Sequence, residues 1–171
     1  VRDTPIAEMT FTGMGVGLAM AGDRPIVEIM FVDFIGSCLE QIYNAMAKIP
    51  YMSGGNMRMP MVVKTAAGCI GAAAQHSQCL WGTFAHLPGM RVVVPSCPYS
   101  AKGLMTSAIR SDDPVIFIEH KALMRRKLNA FDAVKPDVTS TAYELPLGKA
   151  HVVLPGFDVT IVSLAKGVQD S

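Results

Sequence analysis

Four short apolar segments, separated by longer stretches with helical periodicity, constrain the fold of this 171-residue chain more than any other feature. They are residues 25–31 (PIVEIMF), 60–64 (PMVVK), 91–94 (RVVV) and 115–119 (VIFIE). Each is short and rich in branched side chains, so each is predicted to be a buried strand. Buried strands that alternate with helices form a parallel sheet covered on both faces. The sequence therefore predicts an α/β fold with a mostly parallel sheet and helices on both faces.

Two helices are predicted between these strands. Hydrophobic residues recur on one face from Ile35 to Ile49, and Pro50 is expected to end that helix. Its predicted apolar face consists of Ile35, Cys38, Leu39, Ile42, Met46 and Ile49. Further along, Ser96 can cap a helix that has Pro98 in its first turn. The predicted buried stripe of this second helix is formed by Ala101, Leu104, Met105 and Ala108.

Residues 65–90 carry no formal charge, yet they contain a Gln-His-Ser-Gln cluster around His76. The run is long enough to cross a bilayer, but its histidines, glutamines and Pro88 would be unpaired there, so we predict no membrane helix. Ligands of parallel sheets bind where strands end and helices begin. His76 is predicted to lie at such a point, at the N-terminus of a helix that follows a Gly- and Ala-rich loop.

The charge balance restricts the classes of partner. Fifteen basic and 14 acidic residues give a net charge of +1 without a basic block, so neither nucleic acid nor an anionic membrane is expected. Only 17% of the residues are charged, as expected for a chain whose surface is covered by another subunit. We interpret Cys38, Cys69, Cys79 and Cys97, which lack metal-ligand spacing, as buried thiols. They favour a reducing compartment, the cytoplasm, or the mitochondrial matrix or plastid of a eukaryote.

A glycine run, GMGVG at residues 13–17, invites a nucleotide-binding interpretation. It does not match the dinucleotide fingerprint, because the spacing is G-x-G-x-G and a strand follows it. We predict instead a helix face of small residues that packs closely on a neighbour.

The character of the sequence changes after Lys121. Residues 129–141 are polar without a clear period, which is typical of a linker. Residues 147–154 and 158–164 are then predicted to be strands, and the chain stops shortly after the second. Because it also starts without a leading strand, we interpret the chain as a piece of something larger.

Three long stretches resemble one family. They are residues 4–34 (TPIAEMTFTGMGVGLAMAGDRPIVEIMFVDF), 51–78 (YMSGGNMRMPMVVKTAAGCIGAAAQHSQ) and 84–123 (FAHLPGMRVVVPSCPYSAKGLMTSAIRSDDPVIFIEHKAL). They are similar to the beta subunits of thiamine-diphosphate-dependent 2-oxo acid dehydrogenases, which include the pyruvate, branched-chain and acetoin enzymes. The resemblance implies a transketolase-like pyrimidine-binding domain at 1–135, a linker and edge strand at 136–157, and the start of a C-terminal domain at 158–171.

The resemblance also implies site residues. Glu8 matches the family's cofactor-activating Glu in T-P-I-x-E, whose carboxyl group bonds the pyrimidine ring of thiamine diphosphate. His76 matches the His of A-A-Q-H-S-Q, which faces the substrate and either orders the active-site loop or donates a proton. Phe34 is implied to stack on the aminopyrimidine, with Met30 as a neighbouring contact. The residues alone leave structural roles open, since Glu8 can complement a helix dipole and His76 or Phe34 can serve packing.

Partners and ions follow from the same resemblance. The family's alpha subunit holds the diphosphate through magnesium with a Gly-Asp-Gly motif that this sequence lacks, so the chain is expected to supply half of a site in a heterotetramer. A lipoyl-bearing acyltransferase core is the expected acceptor after a 2-oxo acid is decarboxylated or acetoin is cleaved. A potassium ion is implied at backbone carbonyls of Met61, Ala108, Ile109, Ser111 and Asp113.

Two other functions stay open from the sequence. One is a carboligase similar to transketolase or deoxyxylulose-phosphate synthase, although those enzymes usually carry both cofactor domains on one chain. The other is a non-catalytic assembly module, which would need neither Glu8 nor His76.

Overall fold

Four parallel strands form a single sheet in the order β1-β2-β4-β3. The computed structural model describes residues 1–124 and 138–171. The strands are β1 (Ile26–Ile29), β2 (Val62–Ala67), β3 (Arg91–Val93) and β4 (Val115–His120). The register aligns Ile26 with Val62 and Val62 with Val115. All three neighbouring pairs are parallel, which confirms the predicted α/β class.

Helices cover both faces of the sheet. They are α1 (Glu8–Met20), α2 (Ala47–Met52), α3 (Trp81–Ala85), α4 (Pro98–Arg110), α5 (Lys121–Met124) and α6 (Gly167–Asp170). One face packs Val16 of α1 against Val27, Val63 and Ile116. The other face packs α4 against strand residues such as Phe117, through Leu104, Met105, Ala108 and Ile109. Two apolar layers therefore enclose the strands, as the alternating pattern predicts.

The apolar face predicted for residues 35–49 is confirmed, but the segment is not one regular helix. It consists of a 3₁₀-helix at Val32–Cys38, a π-helix at Glu40–Met46 and then α2. Ile35, Cys38, Ile42 and Met46 are fully buried on the predicted side. Pro50 was expected to end the helix, but the chain stays helical to Met52. Pro50 lies inside a helical run that is continuous from the π-helix into α2.

Cys97, rather than Ser96, caps α4. The Ser100 N–H donates to the Cys97 sulfur at 3.5 Å, and the Cys97 N–H donates to the Ser100 hydroxyl at 3.1 Å. This reciprocal pairing satisfies two groups at the start of the helix. Pro98 occupies the first turn, as predicted.

The predicted strands at 147–154 and 158–164 are wrong, because no strand occurs in residues 138–171. Their large apolar side chains, among them Val152, Leu154, Val159 and Val162, are exposed. A strand forms only where a neighbour accepts its backbone hydrogen bonds, and the described residues offer this segment none. Residues 143–147 instead lie along α4, with the Leu145 N–H donating to the Gly103 carbonyl at 3.2 Å.

No helix within residues 1–124 and 138–171 has the length and hydrophobicity needed to cross a membrane. The predicted boundary between residues 135 and 136 lies outside the described residues.

The close packing predicted for the 13–17 run is found at Gly15. A Cβ at that position would lie 2.6 Å from Cγ2 of Val27 and 2.8 Å from Cε of Met61, so the backbone of α1 rests directly on the sheet. At Gly17, on the exposed side of the same helix, a Cβ would meet nothing within 4 Å.

We expect Gly15→Ala and Gly17→Ala to change stability in opposite directions. Overpacking costs about 1–3 kcal/mol, which outweighs the gain of roughly 1 kcal/mol from replacing a helical glycine. Gly17→Ala causes no overpacking, so it should only raise the free energy of unfolding, by roughly 1 kcal/mol. Denaturant unfolding of both variants measures the difference, and equal free energies of unfolding would contradict the packing described for Gly15.

Candidate functional site

Three segments meet at the carboxyl ends of β1, β2 and β4. Phe31 and Asp33 follow β1, the loop at residues 68–80 follows β2, and Lys121 follows β4. Because the strands are parallel, these segments lie at one edge of the sheet, where α/β folds bind ligands.

His76 lies at this edge, but it does not begin a helix. It ends a three-residue 3₁₀ turn at Ala74–His76, and α3 starts only at Trp81. The loop before it is tight, with positive φ at Gly71 (78°) and at Ala73 (62°). Such a conformation is costly for a residue with a Cβ, by about 1–3 kcal/mol, and is found mostly at functional sites. The Ser77 hydroxyl donates to the Ala73 carbonyl at 2.7 Å and helps to hold it.

The His76 imidazole packs edge-on against two aromatic rings. Its centroid lies 5.5 Å from that of Phe34 and 5.6 Å from that of Phe31, at interplanar angles of 82° and 87°. The structure thus brings together two of the residues predicted from the sequence. Phe34 remains 38% exposed, so part of its ring is accessible to a ligand.

A buried ion pair, which the sequence analysis missed, lies beneath His76. Lys121 Nζ is 3.5 Å from Asp33 Oδ2, and the two side chains are only 3% and 1% exposed. The same ammonium group donates to the His76 carbonyl at 2.6 Å and lies 4.0 Å from the Phe31 ring centroid. Removing one partner of a buried pair typically costs about 3–5 kcal/mol. The only sequence signal was the position of each residue directly after an apolar segment.

Burial acts to raise the pKa of Asp33, but hydrogen bonds and charge reverse that effect. The Gln78 N–H donates to Asp33 Oδ1 at 3.1 Å, and the Lys121 ammonium adds electrostatic attraction. The net result is a pKa below the ordinary value for an aspartate. Asp33 is therefore ionised at neutral pH and can bind both the Gln78 N–H and the Lys121 ammonium group.

Glu8 is the first residue of α1 and is partly buried. Helix α1 packs against the 3₁₀-helix that contains Phe34 and Cys38. Burial raises the pKa of the Cys38 thiol, and the negative charge of Glu8 adds to that rise, which indicates that the carboxylate is near this turn. Met30 directly follows β1 and is 70% exposed. Glu8 thus belongs to the helix packed against the 3₁₀-helix that contains Phe34, and Met30 precedes that 3₁₀-helix in the chain.

The prediction that all four cysteines are buried is wrong. Cys38 is buried and Cys97 is half-buried, but Cys69 and Cys79 are exposed. The exposed pair belongs to the loop at residues 68–80, in which most side chains are exposed. A hydrogen bond from the Gly71 N–H lowers the pKa of the Cys69 thiol.

His120 is a second histidine at this edge that the sequence analysis did not select. A Cβ on Gly68 would lie 2.5 Å from Nε2 of His120, so only glycine allows the start of the loop to lie this close to the imidazole. Its Nδ1 accepts a hydrogen bond from the Ala122 N–H at 3.2 Å. Burial, followed by the positive charge of Lys166, lowers its pKa, so the imidazole is neutral at pH 7.

The carbonyls predicted to bind potassium lie elsewhere, around the end of α4. Arg24 Nη1 donates to the Ile109 and Ser111 carbonyls at 3.2 and 2.9 Å, so these two oxygens converge on one cationic group. Arg24 also forms an ion pair with Asp112. The other three carbonyls each accept one hydrogen bond: Met61 from the Val115 N–H, Ala108 from the Ser111 N–H, and Asp113 from the Ser111 hydroxyl.

The fold is similar to that of a solved structure named split gene transketolase, inactive beta4 tetramer. The TM-score is 0.66 at 22% identity, over 90% of this chain and 44% of that one. Residues 1–127 match the family model of the transketolase pyrimidine binding domain. The chain therefore belongs to the transketolase pyrimidine-binding domain family, in agreement with the resemblance noted from the sequence.

Several relatives carry more specific names. Over 162 residues the chain is 46% identical to the acetoin:2,6-dichlorophenolindophenol oxidoreductase subunit beta of Cupriavidus necator. It is 43% identical to the 2-oxoisovalerate dehydrogenase subunit beta of Bacillus subtilis and 44% identical to the pyruvate dehydrogenase E1 component subunit beta of Rhizobium meliloti. These alignments cover 94%, 95% and 98% of this chain, but only 46%, 48% and 35% of the relatives. The chain thus spans about half the length of its relatives or less.

Proposed function

We propose that this chain supplies the pyrimidine-binding half of the active site in a thiamine-diphosphate-dependent 2-oxo acid or acetoin dehydrogenase, as part of its beta subunit. The observation that carries the proposal is the packing of His76 on the partly exposed Phe34 at the carboxyl edge of the sheet. The names of the beta-subunit relatives support the same class of enzyme.

The described residues fit an aminopyrimidine. Phe34 offers part of a ring face for offset stacking, and Met30, four residues earlier in the chain, offers an exposed polarisable thioether. Glu8, on the adjacent helix α1, adds a carboxyl group that can bond a ring nitrogen. A flat heteroaromatic ring would thus cover apolar surface that is otherwise open to solvent.

Glu8 and His76 have different tasks in this proposal. When bound, thiamine diphosphate supplies a carbon nucleophile and an electron sink, which no side chain offers. The Glu8 carboxyl group binds the aminopyrimidine and shares a proton with it, while Phe34 and Met30 orient the ring. The His76 imidazole faces the substrate side, where it orients the reacting group or donates a proton.

The proposal includes partners. A separate alpha subunit would hold the diphosphate through magnesium, and a lipoyl-bearing acyltransferase core would accept the acyl group. The beta-subunit names of the relatives support an alpha partner. We place the protein in a reducing compartment, the cytoplasm, or the matrix or plastid of a eukaryote. We also retain the division into a pyrimidine-binding domain (1–135), a linker (136–157) and the start of a further domain (158–171).

The direct test is reconstitution. The full chain is purified with and without a candidate alpha subunit, and thiamine diphosphate binding is measured by calorimetry in the presence of magnesium. We expect tight binding and 2-oxo acid or acetoin turnover only in the assembled complex. Turnover by the chain without another polypeptide would contradict the proposal. Ketol transfer between sugar phosphates by the assembled complex would favour a carboligase instead.

We further propose that the carbonyls around the end of α4 bind a potassium ion. Carbonyl oxygens suit a hard cation, and each has a second lone pair beyond its present hydrogen bond. The Ile109 and Ser111 carbonyls both accept from the Arg24 guanidinium, which supports the proposal that oxygens at this position bind a cation.

Melting in matched potassium and sodium chloride tests this site. At equal ionic strength, we expect a higher melting temperature in potassium. Because Arg24 uses the same oxygens, Arg24→Gln should enlarge the difference. Identical melting in the two salts, for both the unchanged chain and the variant, would rule the ion out.

A further inference from the structure

We propose that Asp33 and Lys121 form a clamp that fixes the His76 segment of the loop, and that both residues act on the reaction only through His76. They are positioning residues rather than catalytic ones. The inference rests on the proposed function in one respect, because the kinetic consequence depends on a role for His76.

The clamp holds two backbone groups on the C-terminal side of the His76 side chain. Lys121 Nζ donates to the His76 carbonyl at 2.6 Å, and Asp33 Oδ1 accepts from the Gln78 N–H at 3.1 Å. The two clamp residues are joined to each other at 3.5 Å and are almost fully buried. One ion pair therefore fixes two backbone groups that are two residues apart.

The ammonium group of Lys121 makes three contacts. It donates to the His76 carbonyl and to Asp33, and it also lies over the ring of Phe31, which itself contacts the His76 imidazole. The ammonium thus contacts the backbone of His76 directly and its ring through Phe31. A buried cation without such contacts would be strongly destabilising.

The loop has little else to hold it. From residue 68 to 79 no side chain is fully buried, and the only regular element is the turn at Ala74–His76. The strained Ala73 favours a different local conformation. A longer-range backbone bond, from the Gly68 N–H to the Gln78 carbonyl at 3.0 Å, closes the loop. Within the described residues, Asp33 and Lys121 supply the side-chain hydrogen bonds to the backbone at 76–78.

Hydrogen exchange of the full chain, measured by mass spectrometry on peptides covering residues 71–80, tests the clamp. We expect Asp33→Asn and Lys121→Met each to accelerate exchange in this segment by at least tenfold. Asp33→Asn is nearly isosteric, so it covers the case in which Lys121→Met does not fold. The matched control is Lys64→Met, which removes a half-buried lysine paired with Glu28 and Glu119 on the same sheet.

Unchanged exchange at 71–80 in both clamp variants would overturn the inference. So would an equal acceleration in Lys64→Met, because loosening of the loop would then reflect general destabilisation. Exchange does not depend on the reaction, so accelerated exchange together with an inactive unmodified complex would leave the clamp in place and refute the proposed function.

A double variant tests the positioning role in the complex with the alpha subunit. If Lys121 acts only through His76, His76→Ala combined with Lys121→Met should be no slower than His76→Ala alone. Lys121→Met by itself should reduce kcat by tenfold or more. Additive losses in the double variant would show an independent role for Lys121 and overturn this part of the inference.

Discussion

Glu8→Gln should slow proton exchange at the thiazolium carbon of the bound cofactor by about 100-fold or more, the usual effect of losing a positioned acid–base group. A carboxamide has nearly the same shape and can still hydrogen-bond to the pyrimidine ring. It cannot share a proton with the ring in the same way. Glu8 starts α1 at the surface of the fold, so the variant should still assemble with the alpha subunit.

The measurement is deuterium exchange at that carbon, by quenched-flow and NMR, in the complex saturated with cofactor. Glu40→Gln is the matched control, because it makes the same change on the neighbouring helical segment, where Glu40 accepts a hydrogen bond from the Asn44 amide. We expect the control to exchange at the unmodified rate. An unchanged rate in assembled Glu8→Gln would remove Glu8 from the mechanism and leave it as a helix-dipole residue.

The periodicity of the sequence was sufficient for much of the fold. The strands at 26–29, 62–67, 91–93 and 115–120 and the buried face of residues 35–49 depend on local patterns of apolar side chains, which are visible in one dimension. The predicted strands at 147–154 and 158–164 failed for the opposite reason. Their composition is correct for strands, but a strand also needs a paired neighbour, and composition does not report one.

The site was only partly predictable from the sequence. His76 and Phe34 could be selected from the motifs that contain them, and the structure brings their rings together. The pairing of Asp33 with Lys121 joins residues 88 positions apart, and no periodic pattern connects them. It depends on the order of the strands, which places the ends of β1 and β4 on either side of β2. The prediction that His76 begins a helix was wrong, because the loop after β2 continues to residue 80 and α3 starts only at Trp81.

His76→Ala should impair a later step than Glu8→Gln. In the proposed function, Glu8 acts on the cofactor before substrate arrives, whereas His76 acts on the substrate. The variant should therefore retain thiazolium proton exchange. Its overall rate with a lipoylated acceptor should fall roughly 10²- to 10⁴-fold, the range typical of general acid–base catalysis. His86→Ala, which removes an exposed histidine beside α3, is the matched control and should keep the full rate.

A packing role for His76 is the alternative that this experiment must separate, because the imidazole contacts Phe31 and Phe34 edge-on. His76→Phe retains an aromatic ring for those contacts but cannot donate or accept a proton. If packing is the role of His76, the phenylalanine variant should recover both the melting temperature and the rate that alanine loses. If proton transfer is its role, His76→Phe should recover stability and remain as slow as His76→Ala. Full activity per folded site in either variant would defeat the catalytic role, since the ring would then serve only to fill the space between two phenylalanines.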